Sequence, residues 1–141
     1  LGYFNRLREM SLESQKTQLF CKPLSRTDIN VRLSVPMESL DAFEFAEGEF
    51  KVDFKAIDIE EKPWRFCLSK RENDVHPKPV LSAGWLAYVQ KKRLQKDDKL
   101  LLHVERKEEE EKRYRIQVLR KAFKLCGSDI WVDVENLKKD V

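Results

Sequence analysis

Residues 63–98, PWRFCLSKRENDVHPKPVLSAGWLAYVQKKRLQKDD, decide how this chain of 141 residues folds. A short aromatic strand (Trp64, Arg65, Phe66) leads into a charged loop bounded by prolines. A second short strand follows at Pro79, Val80 and Leu81, and a Gly-Trp pair then opens a helix over Trp85–Lys92. Trp85, Tyr88 and Val89 share one side of that helix, with Leu94 just beyond, so this side faces a core. The helix ends in a cluster of Lys and Arg. A polar, basic loop held between rigid apolar elements is what a site that grips an anion needs, and nucleic acid is the first partner to consider.

Outward from this stretch the pattern is one of short strands. Phe50, Val52, Phe54 and Ala56 alternate with Lys51, Asp53 and Lys55, the clearest strand signal in the chain. The turn Glu60–Pro63 separates it from the Trp64–Ser69 strand, so the two predict a hairpin. Upstream, Gln15–Leu24 reads as a strand broken at Pro23, Ser25–Asn30 as turn and cap chemistry, and Val31–Val35 as a half-buried strand stopped by Pro36. Met37, Leu40 and Phe43 predict a short helix. Downstream, Leu100–Val104 pairs with Tyr114–Leu119 across the charged tip Lys107–Lys112, and a last strand is expected over Ile130–Val134. Neither helix is long enough for a doubly wound sheet, which leaves a mostly β, antiparallel barrel or sandwich plugged by small helices.

Composition agrees with one folded domain. The chain is 41% hydrophobic and 10% aromatic, enough to bury a core, and its 38% charged residues make an ionic surface. A net charge of +3 is too small to argue for nucleic acid by itself, so the distribution must decide. Cys21, Cys67 and Cys126 form no CxxC pair, and His76 and His103 complete no zinc set with them; they read as buried free thiols of a reducing compartment. No cofactor or metal site is expected. No apolar run approaches the roughly 20 residues that span a bilayer, and no signal peptide is evident. The chain begins at Leu and reads as a piece of a longer protein. Residues 1–14 are expected to be a short helix or linker, and residues 121–141 a C-terminal extension with room for an added strand.

Charge sorts by segment. Gln15–Pro36 carries Lys16, Lys22, Arg26 and Arg32 against Asp28 alone. Lys62–Lys78 carries Lys62, Arg65, Lys70, Arg71 and Lys78 against Glu72 and Asp74. Between them, Glu38–Glu61 holds nine acidic residues and two lysines. If the fold joins the two basic loops they form a positive clamp opposite an acidic back, and phosphate binding answers to that local patch.

Several of these segments, taken in order, resemble the plant B3 DNA-binding domain. Phe20-Cys21-Lys22-Pro23-Leu24-Ser25-Arg26-Thr27-Asp28 is similar to the family's opening strand and turn, and Arg32-Leu33-Ser34-Val35-Pro36 to the strand that follows. Trp64-Arg65-Phe66 is similar to its W-x-F strand. Leu81-Ser82-Ala83-Gly84-Trp85, with Val89, Leu94 and Asp98, is similar to its L-x-x-G-W block. The resemblance spans Gln15 to Leu119. It implies a seven-stranded open antiparallel pseudobarrel with two short α-helices over residues 15–120, in a nuclear transcription factor that holds the major groove of double-stranded DNA between two loop arms. The first arm falls on Lys22–Arg32, with a shorter turn than in better-known members, and the second on Ser69–Lys78.

On these positions Arg26, Lys70 and Arg71 are the foremost expected contacts, since Arg can bridge guanine O6 and N7. Lys22, Asn30, Arg32, Ser69, Asn73 and Lys78 are expected as phosphate contacts or arm supports, and His76 as a contact or a loop element. Trp64, Trp85, Phe54 and Phe66 are expected in the core. Two functions follow from this. The first is sequence-specific DNA binding within a transcriptional regulator. The second is a protein-interaction module on the same fold, recruiting a partner through the acidic face or the C-terminal extension. No catalytic spacing of Ser, His, Asp or Cys and no Gly-rich phosphate loop is present, so an enzyme is not expected.

Overall fold

Every second side chain of residues 51–57 turns inward and meets its counterpart from residues 63–69, and the rest of the sheet is added to this hairpin. The computed structural model describes residues 15–72, 75–106 and 111–138. In chain order the elements are β1 (Gln15–Pro23), α1 (Arg26–Asn30), β2 (Leu33–Ser34), a 3₁₀ helix (Met37–Ala42), β3 (Lys51–Ile57), β4 (Pro63–Ser69) and β5 (Val80–Leu81). They continue with α2 (Trp85–Lys92), β6 (Lys99–Arg106), β7 (Arg113–Leu125), β8 (Ser128–Asp133) and α3 (Val134–Lys138). The strand order is β1-β6-β7-β3-β4-β5-β2, with β8 pairing β7 off this path. Pairing is antiparallel throughout except for a short parallel contact, Ala56↔Tyr114 and Ile57↔Arg115, that joins β3 to β7. The result is the expected mostly β, open pseudobarrel with few short helices.

One core fills the trough. Phe54 on β3 faces Phe66 on β4 directly across the ladder, and Ala56 faces Trp64. Their outward neighbours Lys51, Asp53 and Lys55 stay in solvent. Phe43 stacks on Tyr114 at 4.9 Å, and Phe54 meets the same ring edge-on at 5.1 Å, so the segment after the 3₁₀ helix is pinned onto β3 and β7. From below, α2 inserts Trp85 and Tyr88, which lie 5.8 Å apart and pack against Phe66. Burial of each large side chain of this kind contributes about 2–3 kcal/mol, and truncating Phe66 to Ala would cost about 3–5 kcal/mol.

Several local expectations are corrected. Ser25–Asn30 is not plain turn: residues 26–30 make one helical turn, because Ser25 and Asp28 cap each other reciprocally. The helix expected over Met37–Phe43 is 3₁₀, following Pro36 without a side-chain cap. The Val31–Val35 strand shrinks to Leu33–Ser34, and the last strand starts earlier, at Ser128, while Val134 opens α3. The three thiols are free but not buried. Cys21 is exposed and Cys67 half-buried, because the strand alternation that buries Phe20 and Phe66 turns these neighbours outward, and Cys126 is exposed in the turn between β7 and β8. Asp58, counted with the acidic face, is 3% exposed. The readings of residues 1–14 and of the acidic tip at 107–110 lie outside the described residues. Among the described residues no helix is long and apolar enough to cross a membrane.

Candidate nucleic-acid interface

The first arm is built around one carboxylate. Asp28 is 1% exposed, and its Oδ2 accepts the Ser25 backbone N–H at 2.8 Å while its own N–H donates to Ser25 Oγ at 3.2 Å. Its Oδ1 accepts from Lys22 Nζ at 3.0 Å and from the Ser34 N–H at 3.2 Å. Burial would raise the Asp28 pKa, but the hydrogen bonds from Ser25, Lys22 and Ser34 outweigh it and hold the carboxyl below its ordinary value. Lys22 also donates to the Ser34 carbonyl at 2.6 Å. One acid thus ties the end of β1, the cap of α1 and the start of β2 together. The base of the arm is anchored by Leu24, whose N–H donates to the Asp98 carbonyl while its carbonyl accepts from the Asp97 N–H, both at 2.8 Å.

The second arm leaves β4 and returns as β5. Arg71 N–H closes its neck by donating to the Pro77 carbonyl at 2.7 Å, and Lys70 N–H donates to the Phe50 carbonyl at 2.9 Å. Lys78, between two prolines, takes a φ of 42° at the point where the chain re-enters the sheet.

Strand β5 brings the arms together. Leu81 pairs with Leu33 of β2 on one side and with Leu68 of β4 on the other, and Val80 likewise joins Ser34 to Ser69. The strand that ends the first arm and the strand that begins the second are therefore held a single strand apart. Val35 N–H adds a 2.9 Å bond to the Pro79 carbonyl. Between the arms lies an open groove lined by Thr27, Arg32 and Ser34 from one side and Ser69, Lys70, Arg71 and Lys78 from the other, with Val35, Met37, Pro79 and Val80 along its length. Among the described residues, four cations and no carboxylate line it.

Of the expected contacts, Arg32, Ser69, Lys70, Arg71 and Lys78 meet in this groove. Arg26 and Asn30 are exposed on α1, and His76 is exposed in the second arm, away from its lining. Lys22 is taken up by Asp28 and Ser34 as a support of the arm. Asn73 and its neighbour Asp74 lie outside the described residues. Lys70 projects its Nζ over the Phe45 ring, 4.2 Å from the centroid, which positions the side chain. Sequence reasoning missed Thr27, Ser34 and Met37 as groove residues. Met37, 46% exposed, was assigned to a helix face, and only the pairing of β2 with β5 reveals where it stands.

The fold is that of the plant B3 DNA-binding domain. Solved structures with which the chain is similar include the Arabidopsis FUS3–DNA complex, at 23% identity and a TM-score of 0.60 over 75% of this chain and 99% of that one. The Arabidopsis thaliana transcription factor LEC2–DNA complex gives 16% identity and a TM-score of 0.60 over 74% of this chain and 95% of that one. A hypothetical Arabidopsis thaliana protein gives 18% and 0.51 over 74% and 90%. No family model matches the sequence, and no curated protein sequence matches it.

Proposed function

We propose that residues 15–120 bind double-stranded DNA in the major groove through the two arms, as the DNA-reading part of a plant transcriptional regulator that works in the nucleus. The observation that carries this reading is the groove in which Arg32, Lys70, Arg71 and Lys78 converge from both arms, with no carboxylate among the described lining residues. Cations on a rigid frame neutralise phosphates, and Arg and Ser at the same place supply donors and acceptors for base edges. The same fold in the FUS3 and LEC2 complexes is found with DNA, which supports the assignment. Arg26 and Asn30 on α1 and His76 in the second arm extend the contact surface beyond the groove. No catalytic step is assigned.

A salt titration of binding to a duplex selected from a random pool tests the reading. With roughly six phosphates neutralised, log K falls against log salt with a slope near −5. Changing Arg32, Lys70 and Arg71 together to Ala lowers affinity at least about a hundredfold and flattens the slope by roughly 3. Lys22→Met, which removes a support of the arm, lowers the melting temperature instead. A flat salt response in the unaltered chain, or full binding by the triple variant, overturns the proposal.

A further inference from the structure

Strand β7 outruns the barrel. On one side it pairs with β6 only as far as Leu119↔Lys99, and on the other with β8 from Leu119↔Asp133 to Leu125↔Ser128. Since Leu119 is flanked by both strands, β8 lies on the side opposite β6. The β6 side of Arg120–Leu125 therefore carries no strand among the described residues. Such a row of backbone N–H and C=O groups is a template for an added strand.

The register assigns chemistry to the two faces of this projecting hairpin. Residues directly opposed share a face, so Phe123 with Ile130 and Leu125 with Ser128 lie on one, and Lys124 with Asp129 on the other. A bulge at Ala122 changes the phase and puts Lys121, opposite Trp131, on the Lys124 face. The apolar face is open: Phe123 is 53% and Leu125 58% exposed. On the basic face Lys99 Nζ stands 3.9 Å from the Trp131 centroid, and Asp129 is matched by Lys121 at 3.3 Å, which leaves Lys99 and Lys124 in excess. Lysines and a bulge are ordinary guards of a strand edge. They do not account for two large apolar side chains left in water beside it.

We propose that the free edge Arg120–Leu125 accepts an extended segment of a partner protein in which acidic and apolar residues alternate. Its apolar side chains cover Phe123 and Leu125, and its carboxylates, on the other face, meet Lys124 across the ladder, with Lys99 beside them at the start of β6. Charge decides against a second copy of this chain, because two such edges paired antiparallel would set lysines against lysines. A nucleic acid would use only the basic face and leave the apolar one wet. None of the residues lining the groove between the arms belongs to β7 or β8, so this surface is separate from the DNA-binding one.

The test uses the full chain and a synthetic octapeptide alternating Glu and Val. It should bind with amide shifts centred on Arg120–Leu125. Affinity should fall about tenfold or more when the peptide's alternate backbone nitrogens are methylated on one edge, and again when Phe123 and Leu125 are both changed to Ser. Both residues are exposed, so the variant retains the fold, and its affinity for duplex DNA stays unchanged. Any of four results overturns the proposal: equal binding of the methylated peptide, equal binding of a Lys-Val peptide, self-association of the chain through this edge, or duplex DNA shifting the same amides in place of the peptide.

Discussion

Trp85 Nε1 donates a 2.6 Å hydrogen bond to the backbone carbonyl of Asp28, 57 positions earlier in the chain. One partner is the fully buried residue that opens α2, and the other is the residue whose side chain caps the first arm. The arm thus takes its position from the core as well as from the cap and ion pair of its own turn. Trp85→Phe keeps an aromatic ring in the core and removes the donor. It is expected to cost about 2–4 kcal/mol and to lower the melting temperature by roughly 5–15 °C. Amide exchange at Thr27–Val31 should quicken more than exchange in β3 and β4. Equal acceleration everywhere would mean that the bond holds no particular grip on the arm.

Acid should loosen the same arm. The Asp28 carboxyl is held below its ordinary value in the folded chain, so the folded state binds fewer protons there than the unfolded one. Its contribution to stability is complete above the unfolded value near 3.8 and is lost as pH falls through the lower folded value. Lys22 is the ion-pair partner that faces it, 3.0 Å away. Asp28→Asn abolishes that contribution. The variant should be less stable than the unaltered chain at pH 7 by about 2–4 kcal/mol, and the gap should narrow on titration toward pH 3. Denaturant midpoints at four or five pH values check this, and a gap that does not change with pH counts against it.

How far the sequence could be read depended on whether the determining contacts were local. The alternation of Phe54 and Ala56 with lysines, the Trp64–Ser69 run after the turn at Glu60–Pro63 and the apolar run after Leu100 each predicted a strand, and each is one. The helix at Trp85–Lys92 and its buried side were equally legible. The one-turn helix at Arg26–Asn30 was not recognised, although Ser25 and Asp28 carry the spacing of a capping box, because no apolar periodicity follows over so short a span. Asp58, Lys92 and Asp98 look like surface charges in any window of neighbours. Their burial follows from partners far along the chain, namely Lys92 for Asp58, Glu135 for Lys92 and Arg120 for Asp98. For the site, both basic loops were legible from composition. That Arg32 and Lys78 would share one groove while Arg26 stays apart follows only from β5 pairing with both β2 and β4.

The Gly-Trp pair should fail at its glycine. Gly84 adopts a φ of 83°, and a Cβ there would stand 2.0 Å from the Arg65 carbonyl oxygen. Backbone cannot yield as a flexible side chain does, so Gly84→Ala must move α2 away from β4. A loss of more than about 4 kcal/mol is expected, with little folded protein recovered. Gly127, at a φ of 82°, meets nothing within 4 Å, so Gly127→Ala carries only the conformational cost of about 1–2 kcal/mol. Comparing the two melting curves separates steric exclusion from backbone strain, and equal losses would remove the close approach as the cause.

Lys92 is the cation on which the C-terminal segment closes. Its Nζ lies 2.8 Å from Asp58 Oδ2 and 2.6 Å from Glu135 Oε1, with all three side chains nearly buried. Asp58 also accepts from the Trp64 indole at 3.0 Å and from the backbone of Glu60 and Lys62. Burial would lower the Lys92 pKa, but Asp58 and Glu135 raise it above its ordinary value. The carboxyl of nearby Asp133 is raised above its ordinary value, chiefly by its own burial and further by Glu135. Lys92→Met leaves these carboxylates without their cation and should cost about 3–5 kcal/mol at pH 7. Removing the cation takes away what favours their charged forms, and Asp133 is already raised, so protonation of the folded variant becomes easier and stability is regained as pH falls. Its deficit against the unaltered chain should shrink between pH 7 and pH 5. Adding Asp58→Asn and Glu135→Gln should recover part of the loss at pH 7 and remove the pH dependence. A deficit equal at both pH values would show that Lys92 acts chiefly through its ammonium over the Trp64 and Tyr88 rings and not through the carboxylates.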